Sequence, residues 1–457
     1  GEVIALSSRR LATSIMAAMI NQPSGVARSD RVAWPRRFAR PFARLWRPRD
    51  SQRIGQQTNH QWWVAAALPF EPQPLPRTRR RPFFEGWFVR LVDHRALASV
   101  AVIFGSLRFG EGLAAGGGRG PGSSAPFDEH IVVVGWSDGR GGHGSSTLYL
   151  DGPEVKLTGG ASLDGAAGLG WAPVAPRMSW RSRKHGGMRV SGDEARLSLQ
   201  LAGLELEANV SAPRVAWDPA QPDCRGPEGW LARTHLLPCH YFVHSFGSPA
   251  TYRLAPPAPQ RAQRDRRGGG GGGGAVTSGA VPVLSGHALA HMERNYGVSF
   301  PEGWVWGQAI GRGGVVHLVL TGGRFVIGPT SSQQWILGLR ATSPSLAWDF
   351  RTTHLDAISP SISPCSGALE LNLTSRSRTR RLALALHAPP ASFSAPIPVP
   401  TSSGFSEVPG CRESYAAVAT LVASGRLSRR TAWAEVGRWE VPLAVLEFGG
   451  TYQCTRA

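Results

Sequence analysis

The 457-residue chain is 42% hydrophobic and carries 16 Trp, a composition that folds and excludes a disordered protein. Its 56 Gly and 36 Pro imply many turns and several unstructured inserts. The net charge of +19 invites a nucleic-acid partner, but residues 1–82 carry 15 Arg against 4 acids and so hold +11 of it; with no zinc finger, RNA-recognition motif or basic helix, nucleic-acid binding is not expected.

Residues 1–82 are rich in Arg, Ser and Ala and poor in acids, the composition of an organelle transit peptide or of a disordered basic tail. Of the 50 basic residues in the chain only Lys156 and Lys184 are Lys, which reads as a bias towards Arg. From Phe83 the texture changes to short β-rich runs such as FFEGWFVRLVD, HIVVVGW, WVWGQAI, WILGLRA and ALELNLT, several with period-two alternation. Arg196–Val210 predicts a hairpin: Leu197, Leu199 and Leu201 share a face, Ala202-Gly203 turns the chain, and Leu204 and Leu206 return. No amphipathic helix is evident after Phe83, so the expected fold is all-β, as barrels or sandwiches. The stretches 114–126, 137–146 and 158–170 predict surface loops. Residues 255–280, Pro/Arg-rich and then a Gly run, predict a flexible linker. It divides the chain into a basic segment 1–82, a first β unit 83–254, the linker 255–280 and a second β unit 281–457.

Five scattered Cys without a C-x-x-C indicate neither a zinc ribbon nor a disulfide framework. No apolar run reaches the roughly 18 residues of a membrane-spanning helix, so a soluble or peripheral protein is expected. G-x-S-x-G, H-E-x-x-H and EF-hand patterns are absent. What remains is a set of aromatic clusters holding one or two ionisable groups each. RRPFFEGWFVRL places Glu85 beside Trp87, on one face if extended. RTHLLPCHYFVHS holds His235, His240 and His244. MERNYGVSFPEGWVWGQA holds Glu293, and the C-terminal stretch holds Arg412, Glu413 and Glu447. Taken singly, each reads as an ion pair or as core. Together, apolar walls with few charges suit a greasy pocket containing one or two polar groups.

These segments resemble the tocopherol cyclase family. RRPFFEGWFVRL is similar to that family's F-F-E-G-W-Y-hydrophobic-K opening. MERNYGVSFPEGWVWGQA is similar to its E-K-N/D-W-G-x-x-F-P-x-x-W-x-W-x-Q signature at Glu293, Asn295, Gly297, Phe300, Pro301, Trp304, Trp306 and Gln308. GCRES and AVLEFGG resemble its C-R-D/E-S and closing hydrophobic-E-I-G-G segments, and His240-Tyr241 falls where the family has a His-aromatic pair. Tyr296, Arg90 and Phe88 depart from the family's Trp, Lys and Tyr.

The resemblance implies two lipocalin-like, calycin-type β units. It also implies closure of a chromanol ring on a lipid-soluble phytyl-benzoquinol, with neither cofactor nor metal, by a protein peripheral to plastid membranes or plastoglobules. The step needs a carboxylic acid kept protonated by burial and aromatic faces to stabilise a tertiary cation. Glu293 is the first candidate acid and Glu85 the second, with His240 or Gln308 orienting the phenol. Trp87, Tyr241, Asn295, Trp304 and Trp306 are the expected substrate-binding residues, and Glu302 is expected to be a solvated turn residue. The alternatives are a non-catalytic prenyl-lipid carrier and an isoprenoid hydratase.

Overall fold

The computed structural model describes residues 82–109, 128–159, 177–192, 194–201, 203–211, 217, 226–229, 237–257, 276–327 and 330–454. The basic segment 1–81, the Gly-rich stretches 114–126 and 160–170 and linker residues 258–275 lie outside them. The chain divides into two compact units, Gly1–Ala67 and Leu68–Ala457, and every described residue belongs to the second.

The described residues are all-β, with only short 3₁₀ turns besides strands. The first twelve strands are β1 (Phe83–Asp93), β2 (Ala98–Arg108), β3 (Glu129–Ser137), β4 (His143–Asp151), β5 (Val155–Gly159) and β6 (Arg177–Ser182), then β7 (Gly186–Ser191), β8 (Glu194–Leu201), β9 (Leu204–Val210), β10 (Cys239–Ala255), β11 (Val276–Ser278) and β12 (Leu284–Gly297). They form one antiparallel sheet in the order 11-4-3-2-1-12-10-9-8-7-6-5. The next ten are β13 (Gly303–Ile310), β14 (Val316–Ile327), β15 (Thr330–Thr342), β16 (Ser345–Arg351) and β17 (Ala357–Ser363), then β18 (Ala368–Thr374), β19 (Arg380–His387), β20 (Ile397–Thr401), β21 (Gly404–Gly425) and β22 (Ala434–Gly450). The second sheet runs 16-15-14-13-22-21-19-18-17, with β20 on β21. In each sheet the strand earliest in the chain pairs with the last, β1 with β12 and β13 with β22, so the edges fall elsewhere, at β11 and β5 in the first barrel-like sheet and at β16 and β17 in the second.

The change of sheet falls at residues 298–302, because β12 pairs with β1 and β10 of the first sheet. The stretch 255–280 therefore falls within the first sheet's part of the chain: Ala255 ends β10, and β11 lies inside it. The expected loop 137–146 narrows to a turn at 138–142, since His143–Ser146 enter β4. The hairpin at 196–210 forms as its alternation predicts: Leu201 pairs with Leu204 and Gly203 takes the left-handed conformation (φ 89°) that glycine adopts freely.

Period-two alternation gives each sheet two faces. One face of the first sheet lines its own core, with Trp87, Val89, Leu91, Phe104, Trp136 and Met292. One face of the second does the same with Val305, Ala309, Leu320, Trp335 and Leu446. The opposite faces meet in a seam, where Phe88, Tyr241, Phe246, Trp306, Tyr415 and Val445 pack together. Beside them Ile131, Val133, Trp304, Ile397 and Cys411 form a second patch. The two sheets approach closely where glycine allows it. A Cβ on Gly135 would overlap the Tyr415 ring, and one on Gly247 of β10 would overlap the His317 ring of β14.

Cys365 and Cys454 form a disulfide across a separation of 89 residues, a pairing that their distant sequence positions did not signal. It ties the end of β22 to the turn between β17 and β18. Closing so long a loop restricts the unfolded chain, so Cys365→Ser lowers stability by about 2–4 kcal/mol. Urea unfolding of oxidised wild type against the variant measures it, and identical midpoints would show the bond to be energetically idle.

Candidate active site

The stretch Met292–Ala309 is where one sheet hands over to the other. Its first part, to Gly297, completes β12, and Gly303–Ala309 opens β13. Between them Phe300 packs on Phe84 of β1 (ring centroids 4.8 Å) and on Trp304 of β13 (5.0 Å). The density of aromatic and polar residues follows from this position: the stretch supplies the seam face of both sheets.

Glu293 projects into the seam and is buried. Its Oε2 accepts the Tyr241 hydroxyl at 2.6 Å and lies 2.8 Å from His291 Nε2. Trp306 Nε1–H donates in turn to the Tyr241 oxygen at 3.2 Å, and the Trp306 ring meets Phe88 edge-on at 4.9 Å. Burial, with the Glu293 charge beside it, holds the Tyr241 phenol well above its usual pKa, so it remains a hydroxyl. Glu293 thus accepts from the Tyr241 hydroxyl and is held in place beside the His291 ring.

Across the seam Glu413 of β21 and Glu447 of β22 are cross-strand partners. Both are buried, and a carboxyl oxygen of each lies within 4.8 Å of the other. Tyr415 donates its hydroxyl to Glu413, and Trp304 donates its indole N–H to Glu447. Burial first, and the adjacent Glu447 second, push Glu413 well above the ordinary carboxylate value of 4.5; burial raises Glu447 as well. Two carboxyls in one dry site cannot both ionise, so the pair keeps a proton. Glu447 is the cross-strand partner of Trp306, whose indole reaches the Tyr241–Glu293 pair, so the three carboxyls line the same seam.

Arg90 completes the seam on the side of the first sheet. It is fully buried and bonds to Ser99 Oγ (3.1 Å), to Gln308 Oε1 and to the Leu443 carbonyl. Desolvation lowers its pKa to about 9, opposed by Tyr415 and Glu413. Gln308 Nε2 is buried with no hydrogen-bond partner among the described residues, so an amide donor remains available beside Trp306.

Of the residues expected from sequence, six share the seam: Glu293, Tyr241, Trp304, Trp306, Gln308 and Asn295, the last lying over Gly86 of β1. Glu85, Trp87 and His240 occupy the other face of the first sheet. Glu85 is held between Arg294 and Arg108 (2.5 Å to the latter), and Arg294 lies over the rings of Trp87 (5.4 Å) and Tyr296 (4.6 Å). His240 Nδ1 lies 2.9 Å from Glu228 Oε2, and its ring stacks on Tyr296 at 5.1 Å. Glu302 is an exposed turn residue paired with Arg324 at 2.9 Å. In the sequence Glu413 and Glu447 belong to an aromatic cluster that carries no assigned role. Their alignment depends on the β21–β22 register, which no local pattern displays.

Cys411, Glu413 and Glu447 offer three donor atoms within 4.8 Å of one another. Burial also holds the Cys411 thiol well above its usual pKa. A divalent ion would have to displace these protons before the trio could serve as ligands.

No family model matches the chain, and no curated protein matches it in sequence. Among solved structures it is similar to a Nitrosomonas europaea protein assigned as an AttH, with 12% identity over 84% of this chain and 98% of that one and a TM-score of 0.39. It is also similar to CghA (11% identity, 81% and 88% coverage, TM-score 0.44) and to kievitone hydratase from Nectria haematococca (8%, 81% and 89%, 0.40). No activity passes from them to this chain.

Proposed function

We propose that the seam is the active site of an acid-catalysed cyclase that closes a chromanol ring on a phytyl-substituted benzoquinol. The observation that carries this reading is the proton-sharing pair Glu413–Glu447 bonded to the Trp304 indole, with Trp306 and the Glu293–Tyr241 acceptor alongside. The chemistry divides between the two halves. Glu413 supplies the proton: its O–H bond breaks as the alkene π pair forms a new C–H bond, leaving a tertiary cation. The faces of Trp304 and Trp306 stabilise that cation, each by roughly 0.5–2 kcal/mol, without reacting with it. The phenol oxygen then forms the C–O bond and gives up its proton through Tyr241 to Glu293, and return of that proton from Glu293 to Glu413 restores the starting state for the next turnover. Gln308 Nε2 is the free donor that can orient the phenol. Atoms balance as an isomerisation and no electrons are gained or lost.

The Glu413–Glu447 pair replaces Glu293 as the proton source in this reading, because Glu293 is already an acceptor and Glu413 is the group that burial keeps protonated. The resemblance of the 81–90 and 292–309 segments to tocopherol cyclases supports the substrate class. Incubating the purified chain with a phytyl-benzoquinol and separating products of unchanged mass tests the reading. Chromanol formation is expected; tight binding without turnover would make the protein a carrier, and a product heavier by one water would make it a hydratase. The plastid location keeps the same footing: a reporter carrying residues 1–82 is expected in plastids, and a cytosolic reporter would remove that part.

A further inference from the structure

Far from the seam, two turns of the second sheet lie side by side. One joins β18 to β19 (375–379) and the other joins β21 to β22 (426–433), and they are adjacent because Arg380, the first residue of β19, pairs with Gly425. The first turn with the two β19 residues that follow it carries four arginines and the second turn three, with no acidic residue in either. Backbone carbonyls lock the two together. Arg426 Nε donates to the Arg378 carbonyl at 2.6 Å, and Arg429 donates to those of Ser377 (3.2 Å) and Arg376 (3.4 Å). Trp433 is clasped by Arg381 at 4.2 Å and by Arg426 at 4.4 Å. Among the described residues none of the seven guanidiniums is ion-paired with a carboxylate. In their midst Leu427 is 97% exposed.

We propose that this double turn is a docking surface for an anionic lipid membrane. Like charges held together without counter-ions repel, so the arrangement favours an extended anionic partner. A fully exposed Leu among them needs an apolar partner at the same place. A negatively charged bilayer offers both within a few ångströms: headgroup phosphates for the arginines and acyl carbon for Leu427. A nucleic acid offers only the phosphates, and the Trp433 ring, occupied by two arginines, makes no platform for stacking bases. The inference is independent of the reaction at the seam, which lies on another part of the molecule.

The test uses the full chain as Leu427→Cys carrying an environment-sensitive fluorophore, with wild type taken through the same labelling as control. Vesicles of phosphatidylcholine with phosphatidylglycerol are compared with phosphatidylcholine alone. The expected result is a blue shift and quenching by spin-labelled lipid on the anionic vesicles only, weakened by salt. Adding Arg429→Glu and Arg430→Glu is expected to lower the vesicle affinity of the labelled chain at least about tenfold. Because the readout sits at position 427, binding through another basic segment cannot imitate it. A label that stays in water on vesicles of either composition overturns the proposal. So does a label that responds to a single-stranded oligonucleotide but not to vesicles.

Discussion

Glu413→Gln lowers ring closure at least about a hundredfold, the lower end of what a positioned acid contributes, and leaves a folded protein. The amide keeps the geometry of the pair, since its oxygen can accept from Tyr415 and its N–H can donate to Glu447. It removes the proton that Glu447 helps to hold on Glu413. Glu447 then loses its like-charged neighbour and ionises more readily, so it does not take over. Stability gives a second readout with a definite sign. The folded chain binds a proton at Glu413 that the unfolded chain releases near 4.5, because the folded value is raised. That stabilisation is fully present below 4.5 and is lost as pH rises through the folded value. Wild type therefore loses stability across that range, while Glu413→Gln, which cannot ionise, lacks this contribution and becomes the more stable chain at high pH. Urea midpoints at a series of pH values separate the cases: parallel curves for the two proteins would mean that Glu413 does not hold a proton in the folded state.

The all-β fold was legible because several strands alternate with period two and no segment after Phe83 carries a helical period. FFEGWFVRLVD and ALELNLT coincide with β1 and β18. Strands such as β7 (GGMRVS) and β17 (AISPSIS) gave little signal, being short and rich in Gly, Ser or Pro. The grouping of the strands was not legible. A long low-complexity stretch looks like a domain boundary, but whether the next strand returns to the old sheet is settled by long-range pairing, here of β12 with β1 and β10. The same limit divided the candidate site. Glu85 and Glu293 both sit beside aromatic residues, and local pattern cannot tell which face of the curled sheet looks inward. Parity decides it: Glu85 shares its face with Trp87 in the core of the first barrel, whereas Glu293 is paired with Phe88 and faces the seam.

That division of faces separates two carboxylates that the sequence treated as rivals for one role. Glu293→Gln removes the base at the end of the Tyr241 hydroxyl: an amide oxygen accepts a hydrogen bond but does not take the proton, so the phenol proton has nowhere to go in the cyclising step. Turnover falls by about a hundredfold or more. The fold survives, because the amide oxygen can still accept from Tyr241 and only the contact with His291 must readjust. Glu85→Gln acts through stability. It replaces the carboxylate that Arg294 and Arg108 share with a neutral amide, and an arginine as buried as Arg294 then loses the opposite charge beside it. Breaking a buried pair in this way costs about 3–5 kcal/mol. Thermal or urea unfolding therefore shows a large loss for Glu85→Gln and a small one for Glu293→Gln, while rate per folded molecule shows the reverse. Measuring both quantities on both variants is decisive. A stable Glu85→Gln protein that has lost turnover would move the chemistry to the interior of the first barrel. A Glu293→Gln protein with wild-type turnover would leave the seam without its acceptor and take the proposed reaction with it.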